Sequence, residues 1–361
     1  TGMAIDNKNR LIWTGSPSGQ GQASYILRCD ASGKGIDWTE CGDKPSWAIY
    51  LAKNDKQLEA PGQYFDFYNK AGKEGYDYDG PNNKWGIIKW WDFCFRLGGQ
   101  VICLPNGDIV VSSSLFFKFK IEGEKSQPAF NFFLARYNSE GKLKWSTNLY
   151  QDGDSVHTPD QKPRALAYDP KTDSIFIIAS QHGSNVYRLK GDLLGDTGNM
   201  KICWVGKVQA SDGRLISGWY FMNNRHPAGE KGGGYDENGV PNSHPHPKLA
   251  GNELNSISVG ADGYIYIAGA GAARMWTSPN AFQKWPDDLD GGQFPCLVVL
   301  DNNLTKYLYA SIFKGTHGTK NAGGKFNALL LNGNRIILGG EITGSEFQKG
   351  KKLAWCNDES G

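Results

Sequence analysis

The sequence predicts an all-β chain built of short antiparallel strands and tight turns. Three observations carry that reading. Glycine occurs 47 times in 361 residues and aromatic residues make up 12%, a pairing typical of strands punctuated by turns. Apolar residues alternate along short segments: Ile109 and Val111, Ile175 and Ile177, Ile265 and Ile267, Ile336 and Leu338. Such a period of two places one face against a core. Between these segments stand polar turns such as Pro105-Asn106-Gly107-Asp108 and Ala261-Asp262-Gly263, where Gly and Asn tolerate a positive φ.

These pieces recur in five units. The first is GMAIDNKNRLIWTGS followed by SYILRCDASGKGIDWTEC. The second is GGQVICLPNGDIVVSSSL followed by FFLARYNSEGKLKWSTNL, with a turn at Asn138-Ser139-Glu140-Gly141 and a last strand around Trp145. The third joins ALAYDPKTDSIFIIAS to NVYRLKG and ICWVGKV. The fourth joins LNSISVGADGYIYIAGAG to PCLVVLDNNLTKYLYASIF. The fifth, FNALLLNGNRIILGGEITG, shows only the first half of the pattern. Four antiparallel strands per unit, repeated along a chain, make the blades of a β-propeller. Small residues end the second strand, as in Ala268-Gly269 and Gly339-Gly340. They are expected to let neighbouring blades approach closely. The loop after them is expected to lie on the surface, free to grow.

The fourth unit, Leu254 to Phe313, resembles a bacterial β-propeller repeat usually built into seven-bladed propellers. The resemblance rests on Ala261-Asp262-Gly263, Tyr266-Ile267-Ala268-Gly269, Pro279-Asn280-Ala281-Phe282-Gln283, Gly291-Gly292, Leu297-Val298-Val299-Leu300-Asp301 and Tyr307-Leu308-Tyr309, in that order. The second unit matches in its strands and lacks the Ala-Phe-Gln loop. Its segment from Asn138 to Trp145 is also similar to repeats of quinoprotein-like propellers. The resemblance implies a scaffold often found in exported and surface proteins, and it assigns no catalytic residue.

Two stretches depart from the pattern, residues 42–97 and 211–251. The first is aromatic and Gly-rich, and the second, with GEKGGGYDENGVPNSHPHPK, carries too much Gly and Pro for regular strands. The expectation is one propeller domain over residues 1–361, with five blades and two long loop insertions. Six or seven blades, with either stretch as a degenerate blade, is the alternative.

Net charge is +2 and charged residues make up 21%. That balance gives no ground for a nucleic-acid or anionic-membrane partner. No apolar run reaches the roughly 18 residues of a membrane span. The chain begins at Thr1 without a signal peptide and reads as a mature or trimmed product, compatible with an extracellular or periplasmic location. The seven cysteines contain no C-x-x-C pair, which leaves zinc ribbons and thioredoxin-like motifs unsupported. Cys29 with Cys41, or Cys94 with Cys103, would suit local disulfides in an exported protein; buried thiols are the other reading.

Candidate functional residues concentrate in the two irregular stretches, since loops on a rigid framework commonly carry function. His226, His244 and His246 lie in the second. His244-Pro245-His246 places two imidazoles on one side of an extended segment, a set that would suit a transition metal. Asp77-Tyr78-Asp79-Gly80, Asp236-Glu237-Asn238-Gly239 and Asp287-Asp288-Leu289-Asp290-Gly291 are acidic turns. Calcium takes about six to eight hard oxygens, so Asp77, Asp79, Asp236 and Asn238 are candidate ligands. No turn shows the complete EF-hand loop, and ordinary Asx and Gly turns are the competing reading. Trp85, Trp90, Trp91, Tyr76 and Tyr78 form an aromatic cluster. Exposed, it would stack on sugar rings or anchor a protein; buried, it would pack a loop onto a blade.

There is no Gly-x-Ser-x-Gly elbow and no phosphate-binding Gly loop between a strand and a helix. The expectation is therefore an exported, non-catalytic binding or scaffold module. It would present its long loops to a protein or glycan partner at the cell surface. The alternative is a polysaccharide-degrading lyase or hydrolase, with Arg225, His226, Tyr220 and Tyr235 over an axial pocket.

Overall fold

The fold was analysed in a computed structural model. It describes residues 2–15, 25–29, 47–50, 76–77, 87–88, 100–119, 127–140, 142–147, 160–182, 201–221, 252–272, 275–286, 292–314 and 323–342. Every regular element among them is a strand. None of the described residues forms a helix long and apolar enough to cross a membrane.

Four sheets each contain four antiparallel strands in up-and-down order. The first holds β1 (Gly2–Ile5), β2 (Leu11–Gly15), β3 (Tyr25–Cys29) and β4 (Trp47–Tyr50). A two-stranded pair follows, β5 (Tyr76–Asp77) with β6 (Ile87–Ile88). The second sheet holds β7 (Gln100–Cys103), β8 (Ile109–Phe119), β9 (Gln127–Tyr137) and β10 (Leu143–Thr147). The third holds β11 (Asp160–Asp169), β12 (Ser174–His182), β13 (Lys201–Gln209) and β14 (Leu215–Phe221). The fourth holds β15 (Glu253–Val259), β16 (Ile265–Ala272), β17 (Gln293–Leu300) and β18 (Tyr307–Ile312). A hairpin of β19 (Gly324–Asn332) and β20 (Arg335–Ile342) ends the described chain.

The strands are shared between two compact units, residues 1–163 with 210–214 and residues 164–209 with 215–361. In the first unit β1 and β2 lie against β7, and Asn7 Nδ2 donates to the Pro105 carbonyl at 3.0 Å. Val110 and Val111 of β8 pair with Arg136 and Ala135 of β9, and all four residues are buried.

The second unit is a layered stack. One face of the fourth sheet packs on the third through Phe176, Ile178, Val205, Ile265, Ile267 and Val298. Its other face packs on the terminal hairpin through Ala268, Leu297, Val299, Phe313, Phe326 and Leu329. The fourth sheet is thus covered on both sides. That explains why all eight residues of β16 are buried although successive side chains point to opposite faces. Each fully buried Ile, Leu or Val in such a layer contributes about 1.5–3 kcal/mol. The hairpin has one covered face only: Ile336 and Leu338 pack inward, while Leu330 and Ile337 are 58% and 48% exposed.

Two strands fall where composition pointed to insertions. Trp47–Tyr50 completes the first sheet and Leu215–Phe221 the third. They sit at the borders of the Gly- and Pro-rich stretches, and their neighbours mask them from a composition reading. In the third sheet, Lys201–Gln209 is the third strand, paired with β12 and β14. NVYRLKG, expected as a strand of that unit, lies outside the described residues.

The small residues at the ends of second strands have a different physical reason from the one expected. A Cβ on Gly269 would meet the Glu253 carbonyl and lie 2.7 Å from Leu254 Cα. Both belong to the neighbouring strand of the same sheet, where the β15–β16 register shifts between Leu254 and Ser256. The hairpin repeats the device. A Cβ on Gly340 would meet the Lys325 carbonyl and lie 2.6 Å from Phe326 Cα, beside the register shift between Phe326 and Ala328. The glycines accommodate a β-bulge, which crowds one strand against its partner.

Candidate functional site

The hairpin turns organise most of the described polar groups. Asp6 Oδ1 accepts the N–H groups of Lys8 and Arg10, both at 2.9 Å. Asn138 Oδ1 accepts those of Glu140 and Lys142, and Asp301 Oδ1 those of Thr305 and Lys306. Asn106, Asp212 and Asp262 each accept the N–H two residues ahead. These are Asx turns, in which a short side chain replaces a backbone acceptor. At Gly107 and Gly263 φ is +84°, the left-handed geometry that glycine adopts without a Cβ penalty.

Two of these turns extend into buried charged clusters. In the first unit, Asp108 receives Arg136 Nε at 2.8 Å and Lys144 Nζ at 2.8 Å. Arg136 Nη2 lies 2.6 Å from the same carboxylate, and the two side chains are 10% and 6% exposed. Arg136 Nη1 also donates to the Ala210 carbonyl at 2.7 Å, which the Trp145 indole N–H shares at 2.9 Å. In the second unit, Asp169 accepts Lys171 N–H, Thr172 Oγ1 and Asn302 Nδ2 at 2.9, 2.7 and 2.9 Å. Asn302 Nδ2 reaches the Gly263 carbonyl too, and its Oδ1 accepts from Lys207 Nζ at 2.5 Å. That ammonium lies 5.5 Å from the centre of the Phe176 ring, in cation–π range.

The ionisation of these groups is set by opposing causes. Burial pushes the Asp108 carboxyl up, but hydrogen bonds from Lys144 and Arg136 outweigh it and hold it below the ordinary value. Burial acts the same way on Asp169, where Thr172, Asn302 and Lys171 outweigh it. Asp6 follows the pattern with Arg10 and Lys8. Lys207 is lowered by burial, partly offset by Asp169 and Asp301. The Cys103 thiol is pushed up to about 12 by burial and by Asp6, and Cys296 is raised by burial. At neutral pH these carboxylates stay charged and these thiols stay protonated. The thiolate that a reactive cysteine needs is therefore disfavoured at Cys103 and Cys296, and the hydrogen bonds of Asp108 and Asp169 go to side chains that anchor neighbouring strands and turns.

The Pro279–Gln283 segment is a strap on an edge strand. Ser278 N–H donates to the Ala310 carbonyl and Ile312 N–H to the Gln283 carbonyl. Phe282 N–H donates to Tyr309 Oη at 2.8 Å and Gln283 N–H to Ser311 Oγ at 3.0 Å. Phe282 stacks on Phe313 at 5.4 Å, and Phe313 meets Phe326 edge-on at 5.1 Å. Met275 and Trp285, on either side of the segment, are each 2% exposed. The loop expected on the surface does expose Pro279 and Asn280, but it is pinned along β18, and its hydrogen bonds occupy an otherwise open sheet edge.

The residues singled out from sequence lie almost entirely outside the described residues. Trp85, Trp90, Trp91, Tyr78, Asp79, Arg225, His226, Tyr235, Asp236, Asn238, His244, His246, Asp287, Asp288 and Asp290 all do so. Tyr76 and Asp77 form β5, in backbone register with Ile88 and Ile87. Tyr220 sits in β14 opposite Trp204. Among the described residues no three His, Cys, Asp or Glu side chains gather as a metal set. Cys203 and Cys296 are buried unbridged thiols; Cys103 is half-buried and unbridged, and Cys94, its expected partner, lies outside the described residues. Sequence reasoning missed the Asp108 and Asp169 clusters. Their only local signal is an Asx residue two positions before a turn's closing N–H; Arg136 and Asn302 are brought in from far along the chain.

No family model matches the chain. No curated protein matches it either. Solved structures overlap it only loosely. A gluconolactonase from Xanthomonas campestris is 14% identical at a TM-score of 0.31, covering 95% of this chain and 69% of that one. A putative glycoside hydrolase from Parabacteroides distasonis is 10% identical at 0.37, covering 96% and 86%. An ulvan lyase of a polysaccharide lyase family is 10% identical at 0.36, covering 95% and 79%. Overlaps of this size transfer neither residues nor activity. The all-β assignment rests on the strands themselves.

Proposed function

We propose that this chain is an exported, non-catalytic β-propeller module that presents its long loops to a protein or glycan partner at the cell surface. The observation that supports this reading is the use of the framework's polar groups. Asp6, Asp108, Asp169 and Asp301 are all engaged in holding turns. Repeated four-strand meanders, layered face to face in the second unit, are the building pattern of propeller blades. Partner recognition then falls to the loop stretches. The aromatic cluster of Trp85, Trp90, Trp91, Tyr76 and Tyr78 is the proposed contact surface, through stacking on sugar rings or anchoring in a protein pocket. Calcium at Asp77 and Asp79, or at Asp236 and Asn238, is the proposed structural ion; His226, His244 and His246 are the proposed site for a transition metal.

The test is a paired binding and turnover assay on purified protein with cell-wall glycans. The proposal expects retention on glycan or on an envelope protein, loss of retention in the Trp85→Ala/Trp90→Ala/Trp91→Ala variant, and no bond cleavage. Release of new reducing or unsaturated sugar ends, abolished by His226→Ala, would replace it with the polysaccharide-degrading reading. A chelator is expected to lower the melting temperature, by roughly 2–4 °C for each kcal/mol the ion contributes. An unchanged melting curve would remove calcium from the proposal.

A further inference from the structure

Two Asn-Gly pairs lie in described turns, and their surroundings differ. At Asn106-Gly107 both reacting groups of a cyclisation are tied. Gly107 N–H donates to the Leu104 carbonyl at 2.9 Å, and Asn106 Oδ1 accepts Asp108 N–H at 3.0 Å. The turn is clamped further by Asn7, whose amide donates to the Pro105 carbonyl and whose side chain stands about Gly107. At Asn332-Gly333 the setting is open. Asn332 is the last residue of β19, paired with Arg335 across a two-residue loop. Gly333 has φ +57°, as the first central residue of a II′ hairpin turn requires. Residues 332 to 335 are exposed, and nothing stands within 4 Å of the position a Gly333 Cβ would take. The hairpin is two-stranded with one uncovered face, so its end opens at low free-energy cost.

We propose that Asn332 is a site of spontaneous covalent modification, and that the fold protects Asn106 from the same reaction. The Gly333 backbone nitrogen, having given up its proton to base, attacks Asn332 Cγ. A five-membered succinimide forms as the new N–Cγ bond is made and the Cγ–Nδ2 bond breaks, with ammonia leaving. Water then opens the ring at either carbonyl, yielding an aspartyl or an isoaspartyl residue. No oxidant or cofactor takes part. The isoaspartyl product lengthens the backbone at the Asn332–Arg335 pair, which breaks that register and loosens the hairpin end.

The experiment is a time course of the purified full chain in mildly alkaline buffer, with peptide mapping by mass spectrometry and isoaspartyl detection by enzymatic methylation. A parallel time course is run in denaturant. In denaturant both Asn-Gly pairs convert at similar rates. In native buffer Asn332 converts at least about tenfold faster than Asn106, the factor expected when two hydrogen bonds must be lost before Asn106 can react. The Asn7→Ala variant raises the Asn106 rate and leaves Asn332 unchanged. Equal native rates, a faster Asn106, or an Asn332 that converts only in denaturant would each overturn the proposal.

Discussion

The sheet β15–β18 and the hairpin β19–β20 share one local design and have different surroundings. Both open with a strand that bulges near its start, after two residue pairs in the sheet and three in the hairpin, and both place a glycine against the crowded carbonyl. In the sheet, Tyr266 is 8% exposed; in the hairpin, Ile337 is 48% exposed at the corresponding outward position. The sheet has neighbours on two faces and the hairpin on one. Local sequence therefore sets the shape of the strand pair, and the number of covering layers sets its stability.

The largest expected contrast comes from truncating one isoleucine buried between layers and one on the uncovered face of the hairpin. Ile267→Ala should cost about 3–4 kcal/mol, within the range for a fully buried aliphatic side chain. Ile337→Ala should cost less than about 1 kcal/mol. Urea unfolding midpoints at constant slope measure both, and equal losses would break the comparison. Next in size is the bulge glycine. Gly269→Ala should cost about 2–3 kcal/mol, because two buried layers resist the backbone shift the new methyl demands. Gly340→Ala meets the same backbone contact in a hairpin free to yield on one side, so its loss should be smaller.

Electrostatics sharpens the comparison further. The fourth sheet is clasped to the third by the charged Asp169–Asn302–Lys207 cluster. It is clasped to the hairpin by neutral bonds, Asn255 Nδ2 to the Phe326 carbonyl and Leu329 N–H to Ser256 Oγ. The Asp169 carboxyl lies below its ordinary value of 3.8 in the folded chain. On acidification the unfolded state takes up its proton first. The stability this residue contributes is thus complete above about pH 5 and is lost as the pH falls below 3.8 through the folded value. Asp169→Asn should flatten the acid limb of a stability–pH curve; an unaltered limb would show that the clasp contributes nothing. The smallest effect is expected from Tyr309→Phe. It removes the acceptor of the Phe282 N–H at a cost of about 1 kcal/mol, read from the same unfolding midpoints.

Much of this contrast is legible in the sequence, and the rest has identifiable reasons for being hidden. The alternation of Ile265 and Ile267, and of Ile336 and Leu338, marks the strands, and Asn-Gly and Asp-Gly mark the turns. Those signals are local. The fourth strands Trp47–Tyr50 and Leu215–Phe221 are short and border irregular stretches, so their partners across the sheet define them. The role of Gly269 depends on a bulge in another strand, which no spacing announces. The strap from Ser278 to Gln283 reads as a loop because its hydrogen bonds go to Tyr309, Ala310, Ser311 and Ile312, about thirty residues further along the chain. The Asp108 and Asp169 clusters are hidden for the same reason, with Arg136 and Asn302 arriving from distant strands and turns.

Native-state hydrogen exchange tests the layered account most directly. Amides of β16, Ile265 to Ala272, should exchange only through global unfolding, with protection that falls in step with added urea. Amides of β20, Arg335 to Ile342, should exchange through local opening that urea scarcely changes. Equal protection of the two strands, or a β16 that opens locally, would contradict the claim that the fourth sheet is buried between two layers and the hairpin is covered by one.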